Sequence, residues 1–353
     1  MQTSVRAIND LTESQYANWT ALLSDNGVLD SPCFRPEYVL FVGRVLPNVE
    51  VAVLSADGSD VGFFSFERHP GDLGLPIGRF LSDLHGVVAA KDTAWDADKL
   101  IRECGLKAWQ FDHLVAEQKT FQQHHSFVDD SFFMDLQNGY ESYCEQRKSA
   151  GSSVMKQAAR KQRKLEREVG PIRFTAHTTE KFAWDALAHW KSEQLLRLGY
   201  ADMFRLDWVN ALLEELRFVD GHEFAPLLST LHAGDELLAV QLGLKSSTVV
   251  TSWIPTFDHN YSKYSPGLIL QLELAHWAAN EGVHRFDLGR GENQMKLSLA
   301  SAAFDVAVGS VDHRFIHRTL TQTYYGLRNW VHASPFKEVS LNAVRRIKAL
   351  AGR

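Results

Sequence analysis

Three uncommon features share one stretch of the chain, Trp253 to Lys296. A polar, tyrosine-rich turn, Asn260-Tyr261-Ser262-Lys263-Tyr264, leads into Ser265-Pro266-Gly267-Leu268. Ser265 is a good N-cap, Pro266 suits a first helical position where no N–H is needed, and Gly267 leaves that end open to close approach. Free N–H groups at Gly267 and Leu268, with the helix dipole behind them, favour a phosphate or carboxylate by roughly 0.3–1 kcal/mol, and Lys263 could add charge. Further on, Asp287 stands beside Arg290 in the turn Gly289-Arg290-Gly291, tight enough for a ligand to lie against bare backbone. A polar glycine loop earlier in the chain, Gly71 to Gly86, carries Asp83 and His85 near its end.

The elements that must position these residues follow from periodicity. Apolar residues at Leu268, Leu272, Ala275 and Ala279, widened by Ile269, Leu270, Leu274 and Trp277, predict a largely buried helix stopped by Gly282, then a strand from His284 to Leu288. Before it come two helices, Glu180 to Leu198 and Asp207 to Phe218, and three strands, Phe224 to His232, Glu236 to Ser246 and Thr248 to Pro255, with turns short enough for antiparallel hairpins. Gln241 and Trp253 lie on those strands. Near the start, Leu11 to Leu23 and Pro32 to Leu46 read as helices, and the first half then gives a weaker echo: a hairpin turning at Asp57-Gly58, the glycine loop, a helix from Asp96 to Cys104 and a strand from Trp109 to Val115. His124-His125 reads as a loop. A segment from Ile316 to Arg353 looks helical, its last part amphipathic and basic, which suits packing on the body or contact with a membrane surface.

Between Arg147 and Arg167 eight basic residues face one acid, a local charge of +7. On a helix, Lys156, Arg160, Arg163 and Arg167 form a stripe. It reads either as a solvated surface or as an anion platform for cofactor phosphates, an acidic sugar, RNA or lipid headgroups. The 353 residues are 45% hydrophobic and carry a net charge of -6, which excludes a protein that holds nucleic acid by charge over its whole surface. Three scattered cysteines, no apolar run of membrane length and no leader pattern make a cytoplasmic protein with reduced thiols the expectation. There is no nucleophile elbow, Walker loop, dinucleotide fingerprint or paired metal-ligand spacing.

The Tyr264-Ser265-Pro266-Gly267-Leu268 helix start, followed by Phe286-Asp287-Leu288-Gly289-Arg290-Gly291, resembles the GNAT acyltransferase superfamily. More narrowly it is similar to the CelD-like branch associated with bacterial cellulose production, which is related to the Fem peptidyltransferases. The basic helix and the loop Pro76-Ile77-Gly78-Arg79-Phe80-Leu81-Ser82-Asp83 are further matches, and the resemblance spans about residues 50 to 310. It implies an α+β or α/β fold of tandem GNAT-like halves, with mixed, mostly antiparallel sheets flanked by helices. The boundaries would be a degenerate N-terminal half over 1–145, an acyltransferase domain over 146–312 and a helical extension over 313–353. The family's pyrophosphate loop, Arg/Gln-x-x-Gly-x-Gly/Ala, is absent before the central helix, so acetyl-CoA or another acyl-CoA is implied by the superfamily alone.

On that resemblance, Asp287 would orient or deprotonate the acceptor, unless it only caps the turn and pairs with Arg290. Tyr264 and Tyr261 would protonate the leaving thiolate or line the pocket. Lys263, Ser265, Gly267, Leu268 and Arg160 would hold the cofactor. Asp83, His85, Gln241, Trp253, Arg290 and Lys296 would hold the acceptor, a small amine, amino sugar or polysaccharide precursor. Two alternatives stand beside this expectation: a Fem-like transferase using charged tRNA, and a noncatalytic module of a polysaccharide-synthesis complex, peripheral to a membrane.

Overall fold

The computed structural model describes residues 1–24, 27 and 29–314. The expected C-terminal helical extension lies outside the described residues apart from its first two positions. The first half runs β1 (Gln2–Ala7), α1 (Glu13–Ser24), α2 (Pro36–Val45), β2 (Val49–Ala56), β3 (Ser59–His69), β4 (Leu73–Leu75), β5 (Val88–Ala89), α3 (Ala97–Glu103), β6 (Ala108–Val115) and β7 (His125–Asp135). Two linking helices follow, α4 (Tyr140–Ser149) and the basic α5 (Val154–Glu168). The second half runs β8 (Ile172–Thr175), α6 (Lys181–Arg197), α7 (Asp207–Leu216), β9 (Ala225–Ala233), β10 (Glu236–Lys245), β11 (Val249–Phe257), α8 (Pro266–Asn280), β12 (Arg285–Arg290), α9 (Gln294–Leu299) and β13 (Ala302–Asp312).

The strands form one sheet in the order β1-β2-β3-β4-β6-β13-β7-β12-β11-β10-β9-β8, with β5 on the side of β3. Both halves obey the same plan. An outer strand, two helices and a three-stranded antiparallel meander lead to a helix and then a strand parallel to the meander's last member, β6 beside β4 and β12 beside β11. At the centre the halves trade last strands. β7 pairs with β12 through Met134 and Phe286, and β13 pairs with β6 through Val115 and Val306. Separating the halves would therefore break three ladders, β6–β13, β13–β7 and β7–β12, and leave their strand edges bare.

Side-chain alternation assigns the two faces. Phe63, Leu228, Val240 and Leu242 pack with Trp19, Val42, Leu187 and Leu212, so α1, α2, α6 and α7 share one apolar layer across both halves. On the opposite face Phe64 and Phe66 meet α3, while Leu227 and Leu231 meet α8 and α5. The central helix α8 ends as expected: Gly282 takes φ 80°, Val283 N–H returns to Ala278 O at 2.9 Å and Gly282 N–H to Ala279 O at 3.2 Å. Its start differs from expectation. Ser265 is left-handed, φ 54°, and its side chain caps nothing; its carbonyl instead accepts from Leu268 N–H at 3.1 Å. Strand β7 also begins at His125, where a loop was expected, and β1 had no strong signal in Gln-Thr-Ser-Val-Arg-Ala.

Candidate active site

Two β-bulges and one splay build the site. Along β11 the pairing with β10 passes from Thr251 opposite Leu244 to Ile254 opposite Leu242, so Ser252 and Trp253 together oppose Gly243. A side chain at Gly243 would strike Thr251 O at 2.6 Å, which is why the bulge needs glycine. Strand β12 carries a second bulge at Leu288, followed by Gly289 at φ 81°. Bulges bend strands and re-aim side chains. Here they separate two neighbours: β11 and β12 pair only from Val249 to Thr251, and beyond that β11 has a ladder on its β10 side alone. Backbone groups left without a strand partner must find water or a ligand.

The gap opens into a cleft of about 770 Å³. Its walls include Thr256 and Phe257 of β11, Gly267 and Leu268 at the α8 N-terminus, and Ser152, Ser153 and Gln157 at the start of α5. Because the helix opens with a tight turn, Leu268 N–H is already bonded and Gly267 N–H alone of that pair has no acceptor among the described residues. The anion site is thus one amide and a dipole rather than the two amides expected.

A smaller chamber of about 250 Å³ adjoins the cleft, sharing Pro255, Gln271 and Met295 with it. It is lined by Asp83 and His113 from the first half and by Ser252, Trp253, Arg290 and Lys296 from the second. The Asp83 loop is pinned across the halves, since Leu81 O accepts from Tyr38 Oη at 3.0 Å and from Trp253 Nε1 at 2.6 Å. Burial pushes the Asp83 carboxyl up to about 6, opposed by His113 and Lys296 and reinforced by Asp287 and Asp112. Burial likewise lowers Lys296, opposed by Asp83, and its ammonium donates to Arg290 O at 2.8 Å. His113 Nδ1 lies 3.0 Å from Asp112 Oδ1. Although burial raises it, the Asp112 carboxyl is held at about 2 by His113, His85 and Arg290.

At the junction of the two chambers three polar side chains meet. Gln271 Nε2 donates to Ser252 Oγ at 3.1 Å and to Gln241 Oε1 at 3.4 Å. Gln241 Nε2 and Gln271 Oε1 are buried with no partner. A buried donor and a buried acceptor left unspent are costly unless something else arrives to use them.

Of the residues singled out from sequence, Asp83, Trp253, Arg290 and Lys296 come together in the chamber, while Gln241, Ser265, Gly267 and Leu268 line the cleft. The others are placed elsewhere. Asp287 pairs with Arg285 at 2.8 Å, not with Arg290, and Arg285 reaches Asp30 at 2.8 Å, forming a buried ion triad. Arg290 instead engages Asp112 O and stands 3.6 Å from Asp129. His85 is buried with both ring nitrogens occupied: Nδ1 accepts from His113 N–H at 3.3 Å, so Nε2–H donates to Ser82 O at 3.1 Å. It fastens the loop to β6 and does not line the chamber; the same bonds remove it from the His85-Asp112-His113 group that could otherwise hold a metal. Tyr264 Oη donates to Glu168 at 2.8 Å and its ring lies tilted 6.4 Å from that of Tyr261, and neither tyrosine lines the cleft. Lys263 sits over the Tyr264 ring and 3.8 Å from Glu168, and Arg160 is exposed on α5 outside the cleft wall. Gln271, Ser252, His113 and Gln157 were not anticipated. Gln271 had a readable signal, an amide set between Leu270 and Leu272 in the apolar first half of α8; His113 had none beyond its Asp112 neighbour.

The chain is also similar to known proteins at the level of fold. Residues 152–297 match the family model for the acetyltransferase (GNAT) domain. No curated protein sequence matches the chain. Among solved structures, FemX aligns with 92% of this chain and 100% of its own at TM-score 0.58 and 8% identity. The C-terminal domain of a candidate lysylphosphatidylglycerol synthetase from Agrobacterium fabrum aligns with 87% of this chain and 96% of its own, TM-score 0.53, 11% identity. A conserved protein of unknown function from Bacteroides thetaiotaomicron aligns with 85% of this chain and 98% of its own, TM-score 0.52, 10% identity. Identities this low establish a shared fold and nothing finer.

Proposed function

We propose that this chain is an acyltransferase that takes its acyl group from an acyl-CoA thioester in the larger cleft and passes it to an acceptor in the smaller chamber. The observation that carries the reading is the junction: a donor-sized cleft and a polar, carboxylate-bearing chamber meet where Gln241 and Gln271 keep an unspent donor and acceptor. The residues present suit such a donor. Gly267 N–H and the α8 dipole suit a phosphate, and the bare edge of β11 offers peptide groups to an amide-bearing arm. A bound thioester supplies a carbonyl carbon activated toward attack.

The protein's part is largely positioning, which can contribute on the order of 7–11 kcal/mol. Gln241 Nε2 is free to donate to a carbonyl oxygen as negative charge develops on it. Asp83 is the proton acceptor: as the acceptor's N–H or O–H attacks, the new bond to the acyl carbon forms, the C–S bond breaks, the proton passes to Asp83 and the thiolate leaves to be protonated from solvent. General-base assistance of this kind is worth roughly 10²–10⁴-fold. The N-terminal half then serves as a wall that supplies Asp83 and His113, not as a second donor site.

The test joins binding to turnover. Coenzyme A should raise the melting temperature of the full chain, and acetyl-CoA with an amine panel should release free thiol faster than without acceptor. Neither effect at millimolar cofactor defeats the reading. A second reading, an RNA-borne aminoacyl donor, is favoured by Lys156, Arg160 and Arg163, which are exposed outside the cleft wall. It requires tRNA binding that weakens steeply with salt and is lost when those three are replaced; binding indifferent to the replacements removes it.

A further inference from the structure

Asp83 and Lys296 are opposite charges lining one chamber, yet they form no ion pair with each other or with any other described residue. Opposite charges lining one small chamber attract each other and close up when the chain permits. Here it does not. Lys296 rides on α9, whose start is fixed by Asn293 Oδ1 accepting from Lys296 N–H at 2.8 Å, and its ammonium is tied to Arg290 O. Asp83 follows Leu81, whose carbonyl is held by Tyr38 and Trp253 from two different parts of the fold.

What both charges lack is therefore a ligand charged at both ends. Arg290 adds to the positive end, its guanidinium standing 3.6 Å from Asp129, donating to Asp112 O and acting on the Asp112 carboxylate nearby. The space between is limited: about 250 Å³ falls below the roughly 300–1,000 Å³ of pockets that take drug-sized ligands. Trp253 supplies an apolar wall.

The geometry points to an acceptor that is a small amino acid or an amino-acid-sized zwitterion, its amino group at Asp83 and its carboxylate at Lys296 and Arg290. This rests on the acyltransferase reading for the claim that the amine is acylated, while the charge complementarity is measurable without turnover. The ammonium at Asp83 gives one proton through that carboxylate to solvent before it attacks, the second passes to Asp83 as the amide forms and the thiolate leaves, and the carboxylate end holds the molecule in register.

The full chain is titrated calorimetrically with a panel of α- and ω-amino acids, with the methyl ester and the N-acetyl derivative of each, and with phosphoethanolamine. At least one free amino acid should bind, and both of its blocked forms should bind about tenfold or more weakly, since each loses one charge-assisted contact. Lys296→Gln should shrink the preference for the free carboxylate severalfold, Arg290 remaining, but keep that for the free amine, and Asp83→Asn should remove the preference for the free amine alone, with thermal melts reporting that each variant is folded. Equal binding of blocked and free forms, no binding by any member, or a clear preference for phosphoethanolamine overturns the proposal. Thiol release from acetyl-CoA is scored separately, so loss of the zwitterion preference with turnover intact indicts this inference alone, and zwitterion binding without any coenzyme A effect indicts only the acyl-transfer reading.

Discussion

Replacing Asp83 by Asn separates chemistry from folding, because the two should move in opposite directions. The carboxyl is raised from 3.8 to about 6, chiefly by burial, so the folded protein holds this proton more tightly than the unfolded chain does. The sign follows: stability from this group is greatest below the unfolded value, declines as pH rises, and is lost once pH has passed through about 6. The cost of the ionised carboxylate is roughly 3 kcal/mol for a shift of this size, and water in the open chamber screens it to about 2 kcal/mol. Asn has the same shape without the charge, so at pH 8 Asp83→Asn should be about 2 kcal/mol more stable than the wild type, with the difference vanishing near pH 4. Activity should go the other way. At pH 7 the wild-type group is about nine-tenths ionised and able to take a proton, and its loss should lower kcat/KM by roughly 10²–10⁴-fold. Urea melts at several pH values and thiol release from acetyl-CoA supply both readings. In the wild type, the rate should rise with pH through about 6, a limb distinct from the higher one set by the acceptor amine, and the variant should lack it. A variant that keeps activity within tenfold, or keeps that limb, would refute the assignment of Asp83 as base, whatever its stability.

Three other substitutions probe the remaining parts. Asp287→Ala strips the buried Arg285 of one of its two carboxylates and should cost about 3–5 kcal/mol by denaturant melts; at a temperature where the variant is folded, kcat should stay within a few-fold, whereas a drop comparable to that of Asp83→Asn would restore Asp287 as the catalytic carboxylate. Gly267→Asp places a charge that the α8 dipole favours by roughly 0.3–1 kcal/mol, so melting should be unchanged or higher, while the KM for acetyl-CoA should rise about tenfold; an unchanged KM would move the phosphate site away from α8. Gln271→Leu removes a buried acceptor that has no partner together with two donated bonds, so stability should change by no more than about 1–2 kcal/mol, with kcat reduced. Unchanged kcat in that variant would mean that the junction amides do not meet the reacting groups.

The order of elements in the second half was legible because each carries a strong local signal. Leu268, Leu272, Ala275 and Ala279 announce α8, and Gly282 stops it through a left-handed residue that only glycine takes cheaply. What pattern could not convey is which side chain faces which across the sheet. Asp287 and Arg290 are three residues apart, close enough to suggest a pair, but the Leu288 bulge sends Arg290 toward Asp112 and Asp129 while Asp287 faces Arg285. Asp83 and Lys296 are more than two hundred positions apart, and only the central exchange of β7 and β13 brings their loops to one chamber. Tyr261 and Tyr264 misled for a local reason: the polar turn before α8 packs on α5, so Glu168 and Lys263 take up the Tyr264 ring and hydroxyl.

The duplicated plan also explains why, among the described residues, the cleft lies at α8 and not at its counterpart α3. In the second half the helix after the meander, α8, opens with Ser265 uncapping and Gly267 N–H free. Its counterpart α3 has seven residues, and Asp96 caps it by accepting from Lys99 N–H at 2.8 Å, so a carboxylate of the protein already occupies the position where a ligand phosphate would sit. The seam beside it is closed as well. Past the β4–β6 pairs at Leu73 and Gly74, His85 N–H donates to His113 O at 2.8 Å and His85 O accepts from Val115 N–H at 3.0 Å, and Trp109 fills the adjoining core with Phe64 at 4.9 Å and Phe121 at 5.2 Å. With its donor side sealed, the first half retains the part of the plan that faces the partner half: the Glu67-anchored glycine loop carrying Asp83, and β6 carrying His113. Because β7 and β13 are exchanged, those groups cannot drift from the second half's bulges without breaking the central ladder. The exchange thus turns a sealed domain into a rigid wall of the chamber, and it is the placement of Asp83 on that wall, opposite Lys296, that gives the chamber two charged ends.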